Sequence, residues 1–392
     1  MKPLLIFISI TLLSSYCYAQ NRVDVVLGEI EKNNKSLQSN SKYWEARRAE
    51  FRTGLTPYDP QVEYDYMIGT PKEAGNQRDF SVTQRLDFPS TYKRKRELSN
   101  EQIVQTELQQ LAYRQDILLE AKLLVLEAIY LNKQAAELAR RLQQSTGLVA
   151  DYQKKLDKGD VIILDVNKAR LQLLNIQNEA SLNANAIQLN RTKLAQLNGG
   201  LPVNVSDTTY PVVPLIPDFE ILDSTIEAND PLIKVYEQEK LIQQRQIAVQ
   251  KALNLPKIET GYHSQGILGQ NYKGLHAGIT IPLWENKNRL RAAQANLDYA
   301  TSNAETQRLE HRTENRQYYE QLDVRKKAME EYYRLMSTLN NTALLEKALR
   351  LGQITVIQYV QDQNYYFSTY DKYLQLEMEY HKALARLFKF TL

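Results

Sequence analysis

The sequence predicts a mainly α-helical protein with a membrane β-barrel contribution, built from long coiled-coil helices and four strands per chain and written as an internal duplication. Three observations predict this class. Apolar residues recur at heptad spacing through long stretches poor in proline and glycine. Four short segments alternate polar and apolar side chains. The order strand pair, long helix, turn, helix occurs twice along the chain.

The first nineteen residues read as an export signal. Lys2 supplies a positive start, Leu4 to Leu13 is a nearly continuous apolar run, and Cys17-Tyr18-Ala19 places small residues for cleavage before Gln20. The run is too short to span a bilayer as a helix, although an uncleaved anchor is the alternative. A lipoprotein reading would make Cys17 the first mature residue, but Tyr16 is bulky where lipid-attachment signals have a small side chain. Cleavage removes the only cysteine, and with it disulfides and thiol chemistry. Of the 49 basic residues one, Lys2, leaves with the signal, and the remainder nearly balance 46 acidic ones. That balance excludes the basic bias of a nucleic-acid binder. Downstream no apolar run approaches a transmembrane helix. An exported chain of this kind is periplasmic, secreted, or a β-barrel in the outer membrane.

The duplication divides the mature chain into a first repeat over 20–198, a connector over 199–218 and a second repeat over 219–392. Strands are expected near 60–69 and 79–88, and again near 257–267 and 274–282, each pair closing on Leu86-Asp87-Phe88-Pro89 or Ile279-Thr280-Ile281-Pro282. A helical stretch follows each pair and breaks at a glycine turn, Gly159 or Gly352. The spacing is 70 residues from Pro89 to Gly159 and again 70 from Pro282 to Gly352. The connector carries Pro202, Pro211, Pro214 and Pro217, so it is not a helix. Val212, Val213, Leu215 and Ile216 suggest that it packs on the helices rather than forming a disordered linker.

In the N-terminal helix Val23, Leu27, Ile30, Asn34, Leu37, Ser41, Trp44, Arg48 and Phe51 hold a four-three rhythm, and Val104, Leu111, Leu118 and Val125 recur at every seventh position in the next. A helix from Pro89 to Gly159 would reach about 100 Å. A coiled-coil scaffold explains such helices equally well; the strands separate the readings. Val62, Tyr64 and Tyr66 alternate with Glu63 and Asp65. Phe80, Val82, Leu86 and Phe88 oppose Ser81, Thr83, Arg85 and Asp87, and Ala277, Ile279 and Ile281 oppose His276, Gly278 and Thr280. The apolar set is the candidate lipid-facing surface. Four strands cannot close a barrel, and open edges are not tolerated in lipid. The chain must therefore oligomerise if these strands are membranous. Two copies give a barrel filled by side chains, and three give twelve strands and a lumen.

The pattern resembles the TolC-like outer membrane efflux proteins over essentially the whole mature chain. The likeness rests on Asn229-Asp230-Pro231-Leu232, Leu255-Pro256 leading into a strand, Ile279-Thr280-Ile281-Pro282-Leu283 with Ala292 and Ala295, and the break Leu351-Gly352-Gln353-Ile354-Thr355. The resemblance implies a homotrimer sharing a twelve-stranded barrel in a bacterial outer membrane, with a helical tunnel in the periplasm. It implies a passive duct served by a periplasmic adaptor protein and an inner-membrane transporter, without cofactor. Gly159 and Gly352 would sit at the tunnel's tip, where adaptor hairpins would contact the turns around Leu156, Leu349 and Leu351. The family's two acidic rings fall here on Gln358 and Gln361, a departure, with Asp362 and Asp165 as the nearest carboxylates.

The sequence contains no H-E-x-x-H, G-x-S-x-G, Walker loop or G-x-G-x-x-G. His263, His276, His311 and His381 lack ligand spacing and read as surface or lumen residues. The tyrosine doublets at 318–319, 332–333 and 365–366 read as packing between helices. The competing readings are an elongated periplasmic coiled-coil adaptor or structural protein, and a secreted enzyme on a helical scaffold for which no catalytic constellation is present.

Overall fold

The structure, a computed structural model, describes residues 18–338 and 341–392. The export signal read over 1–19 therefore lies, up to residue 17, outside the described residues. The chain divides into two compact units, each drawing on both halves of the duplication. One comprises the chain up to Ser39 with Tyr113–Asn229 and Arg312–Leu392; the other comprises Asn40–Ala112 and Asp230–His311.

The second of these units holds the sheet. Strands β1 (Gln61–Met67), β2 (Gln77–Leu86), β3 (Lys257–Ile267) and β4 (Gln270–Thr280) form one antiparallel sheet in the order β1-β2-β3-β4. The central β2–β3 pairing joins the two halves of the sequence, from Leu86 opposite Ile258 to Gln77 opposite Ile267. β1 and β4 are edges, each with a single neighbour. Phe88 and Ile281 fall outside the ladder. Pro89 is the first residue of the next helix, where its missing N–H costs nothing, and Ile281 is followed by a turn that runs to Asn288.

Helix α1 (Tyr18–Asn33) is separated from α2 (Lys35–Phe51) at Asn34, so the expected continuous N-terminal helix is two. Asn34 is buried: its Oδ1 accepts from the Leu37 amide at 2.9 Å and its Nδ2 donates to the Leu197 carbonyl at 2.8 Å. A polar residue at an inner heptad position here ends one helix and starts another. α3 (Pro89–Asp157) is a single helix of 69 residues, and α4 (Ile163–Leu197) returns from it. After the connector come α5 (Phe219–Asn229) and α6 (Pro231–Ala252), the latter capped by Asp230 with proline at its first position. The second half closes with α7 (Arg289–Thr338), α8 (Asn341–Arg350) and α9 (Val356–Leu387).

In the unit that contains the termini of the described chain, Val23, Leu27 and Ile30 of α1 pack on Leu118, Ala121, Val125 and Ile129 of α3, with Leu194 of α4 and Val203, Val205 and Tyr210 of the connector. The connector does pack, through two of the four residues expected and through others not singled out. Val213 and Ile216 join a second cluster with Leu222, Ile226 and Tyr380, whereas Val212 and Leu215 are exposed. Val104 and Leu111 are likewise exposed. In that stretch α3 buries the small Ser99 and Thr106 instead. The heptad rhythm identified the helix but not the face that a single chain covers.

Candidate functional site

Directly paired residues of an antiparallel ladder share a face, so the register sorts every side chain of the sheet. Val62 faces Val82, and Tyr64 faces Phe80. Val82 faces Tyr262, which faces Leu275; Leu86 faces Ile258, which faces Ile279. Ala277, opposite Thr260, lies in the same set. One face is thus predominantly apolar across all four strands, interrupted by Gln84, Thr260 and Ser264. Toward the β1–β2 and β3–β4 connections it takes in Tyr66 opposite Arg78, whose guanidinium lies 5.9 Å from the tyrosine ring, and Lys273. The opposite face carries Glu63, Asp65, Asp79, Arg85, Lys257, Glu259, His263 and His276. There Arg85 Nε donates to Glu259 at 2.7 Å, and His276 Nε2 lies 3.3 Å from the same carboxylate. Among the described residues little covers the apolar face: Leu275 is 91% and Ile279 72% exposed. Alternation revealed the candidate lipid-facing residues; the pairing brings those within the ladder onto one surface.

The two glycine turns are built alike. The Gly159 amide donates to the Leu156 carbonyl and the Asp160 amide to Lys155; the Gly352 amide donates to Leu349 and the Gln353 amide to Ala348. This is the Schellman closure, which needs a left-handed residue, and φ is +81° at Gly159 and +72° at Gly352. Below the turns a small core holds Tyr152, Val166, Leu349, Val356 and Tyr359, with Leu156 and Ile354 at its border. Of the expected contact residues, Leu349 is therefore buried and Leu156 half-buried, while Leu351 and both glycines are exposed. Ile162, Ile163 and Leu164, not singled out from sequence, are exposed beside them. Their position just after the glycine was the available signal.

Two of the candidate gate positions, Gln358 and Asp165, lie in the first turns of helices. Thr355 caps α9 and forms a capping box with Gln358: the Gln358 amide donates to Thr355 Oγ1, and Gln358 Oε1 accepts from the Thr355 amide at 2.9 Å. Asp165 occupies the equivalent place in the first turn of α4, where the helix dipole favours a carboxylate. Gln361 and Asp362 are exposed on the next turn of α9, and Gln363 is buried against Tyr359, donating to its phenol at 2.7 Å.

One polar cluster lay outside the sequence reading, and a second forms around a histidine that the reading placed elsewhere. Arg141 of α3 is 1% exposed; it bonds Asp371 of α9 at 2.7 and 2.9 Å and Glu137 at 2.9 Å, and lies 4.2 Å from the Phe367 ring. His381 corrects the expectation of a surface histidine. It is buried and stacked on Tyr210 of the connector, with ring centroids 4.2 Å apart. Burial, and then the Lys133 ammonium, push its pKa down to about 4. The tyrosine doublets pack only in part: Tyr319 meets Phe219 edge-on at 5.5 Å, whereas Tyr365 is exposed.

No protein-family model matches the sequence, and no curated protein matches it. Solved structures do. CusC, described as forming a transmembrane channel, superposes with a TM-score of 0.82 at 14% identity, covering 94% of this chain and 92% of that one. The Campylobacter jejuni CmeC outer membrane channel gives 0.71 at 16% identity, covering 94% and 85%. The outer membrane protein VceC from Vibrio cholerae gives 0.71 at 13% identity, covering 94% and 98%. Over nearly its whole length, the chain has the fold of these outer membrane channel proteins.

Proposed function

We propose that the protein is a passive export duct of a bacterial outer membrane, assembled as a homotrimer whose three sheets close into a twelve-stranded barrel. The observation that carries this reading is the sheet: one apolar face, one polar face and two unpaired edges. In lipid each unpaired backbone group costs several kcal/mol, so β1 of one copy must meet β4 of the next. Three copies leave a lumen lined by the polar face. The long helices then form the periplasmic tunnel, as the likeness to CusC and CmeC supports.

A periplasmic adaptor, fed by an inner-membrane transporter, docks on the turns. Its contacts fall on Leu351, Ile162, Ile163 and Leu164, with Gly159 and Gly352 shaping the surface and the packed Leu156 and Leu349 supporting it from beneath. A ring at the entrance is formed by Gln361 with Asp362 and Asp165, while Gln358 also serves its own helix cap. This gives a less acidic entrance than carboxylates at both glutamine positions would.

Planar-bilayer recording on the purified protein tests the reading. A stable conductance, together with trimers in the outer membrane fraction, is expected. A soluble periplasmic monomer without conductance would instead place the chain among adaptors or scaffolds.

A further inference from the structure

Where β2 and β4 leave the sheet, the chain turns basic. Lys93, Arg94, Lys95 and Arg96 follow β2, and Lys287, Arg289 and Arg291 follow β4. The two segments leave from the same end of the sheet, because Leu86 faces Ile258 and Ile258 faces Ile279; two strand spacings put them about 10 Å apart. Both are anchored at one point: the buried Thr91 donates to the Ala252 carbonyl at 3.2 Å, and the buried Asn286 to that of Leu253 at 2.7 Å. Nearby carboxylates are already engaged, Asp87 with Lys95, Glu97 with Arg94 and Glu285 with Lys257. Lys93, Arg96, Lys287, Arg289 and Arg291 are exposed, and among the described residues none has a carboxylate within 4.0 Å. Beside them Leu283 and Trp284 are also exposed, Trp284 at 79%.

We propose that this collar binds the headgroups of anionic phospholipids in the leaflet next to the helical side of the barrel, an inference that rests on the sheet being in the membrane. The five free cations supply attraction for phosphate diesters. Leu283 and Trp284, exposed just past the end of β4, suit the boundary between headgroups and acyl chains. A free phosphate would use the cations but gain nothing from the exposed indole. Unspecific apolar contact would leave the cations unused.

The test reconstitutes the full chain in vesicles of phosphatidylcholine alone or mixed with phosphatidylglycerol. Native mass spectrometry then reads which lipid stays bound. Retention of phosphatidylglycerol over phosphatidylcholine by at least about tenfold is expected. High salt should abolish the preference, as should the combined variant K93Q/R96Q/K287Q/R289Q/R291Q. K326Q/K327Q, on the exposed side of α7, should leave it intact. Inorganic phosphate should not displace the lipid; displacement would make this a simple anion site and overturn the proposal. Equal retention of the two lipids, or a preference that survives the five substitutions, would also overturn it. The salt arm decides the matter even if the combined variant misfolds. A chain that enters neither vesicle removes the duct reading as well, whereas one that enters both without preference removes only the collar.

Discussion

At the scale of single residues, two buried polar groups set the sharpest expectations. Arg141 pairs with Asp371 and shares Glu137 with Arg140; Arg141 and Glu137 are nearly closed to water, whereas Asp371 is half-buried. Removing Arg141 takes charge-assisted hydrogen bonds from both carboxylates, while Glu137 keeps Arg140 and Asp371 reaches water, so Arg141→Ala should cost about 1–3 kcal/mol in denaturant unfolding. A loss below about 1 kcal/mol would mean that water reaches the cluster. His381 acts through pH. Its folded pKa, about 4, lies below the ordinary histidine value of 6.5, so between these two pH values the unfolded chain binds the extra proton. Stability contributed by the neutral ring is full above the ordinary value and falls as pH drops toward 4, by an amount on the order of 2–3 kcal/mol. His381→Asn should flatten the thermal-stability profile across that window; a profile as steep as that of the unmodified protein would show the histidine to be uninvolved. Neither group was visible in the sequence. A lone arginine or histidine on a helix has no pattern, and its burial is decided by which helices return to it.

At the scale of elements, the sequence was legible wherever one periodicity governed a whole segment. Alternation identified the strands because each has one apolar and one polar face, and the equal spacing of Pro89–Gly159 and Pro282–Gly352 exposed the duplication. The faces of helices were less legible. Val104 and Leu111 follow the heptad yet are exposed, and Asn34 divides a helix that the rhythm joins. Local capping was missed too: Gln358 accepts from the Thr355 amide at the start of its own helix. The turns carry an expectation of their own. A Cβ at Gly352 would meet nothing within 4 Å, so only the positive φ resists substitution. Gly352→Val should therefore strain the turn by about 1–2 kcal/mol and abolish export while leaving assembled trimers in the membrane. Gly352→Asn, which tolerates that φ, should retain export. If the valine variant fails to assemble, the turn is structural only. In the sheet, Leu275→Arg, midway along β4 on the apolar face, should reduce membrane assembly at a cost of about 2–4 kcal/mol, whereas Thr83→Arg on the polar face should be tolerated. Equal effects in a folding assay in lipid would mean that both faces see the same surroundings.

At the scale of the whole molecule, the two-unit division follows from the duplication. Each half contributes one strand pair to the sheet unit and helices to both units, so neither half is complete alone. The same incompleteness extends to the chain. A four-stranded sheet with an exposed apolar face and two open edges is stable in water only if something covers it, and is excluded from lipid unless its edges are paired. In the proposed barrel, sister copies pair the edges and lipid covers the apolar face. On the proposed reading, closing those edges requires more than one copy, and the lumen of a conducting duct requires three.

The most direct test is hydrogen exchange of the full chain in lipid nanodiscs, read at the β1 and β4 amides that face away from β2 and β3. Edges sealed by neighbouring copies should be protected to the same degree as the central β2–β3 ladder. Edge amides that exchange freely while β2 and β3 stay protected would show the sheet to be open, and would contradict a barrel built from three chains.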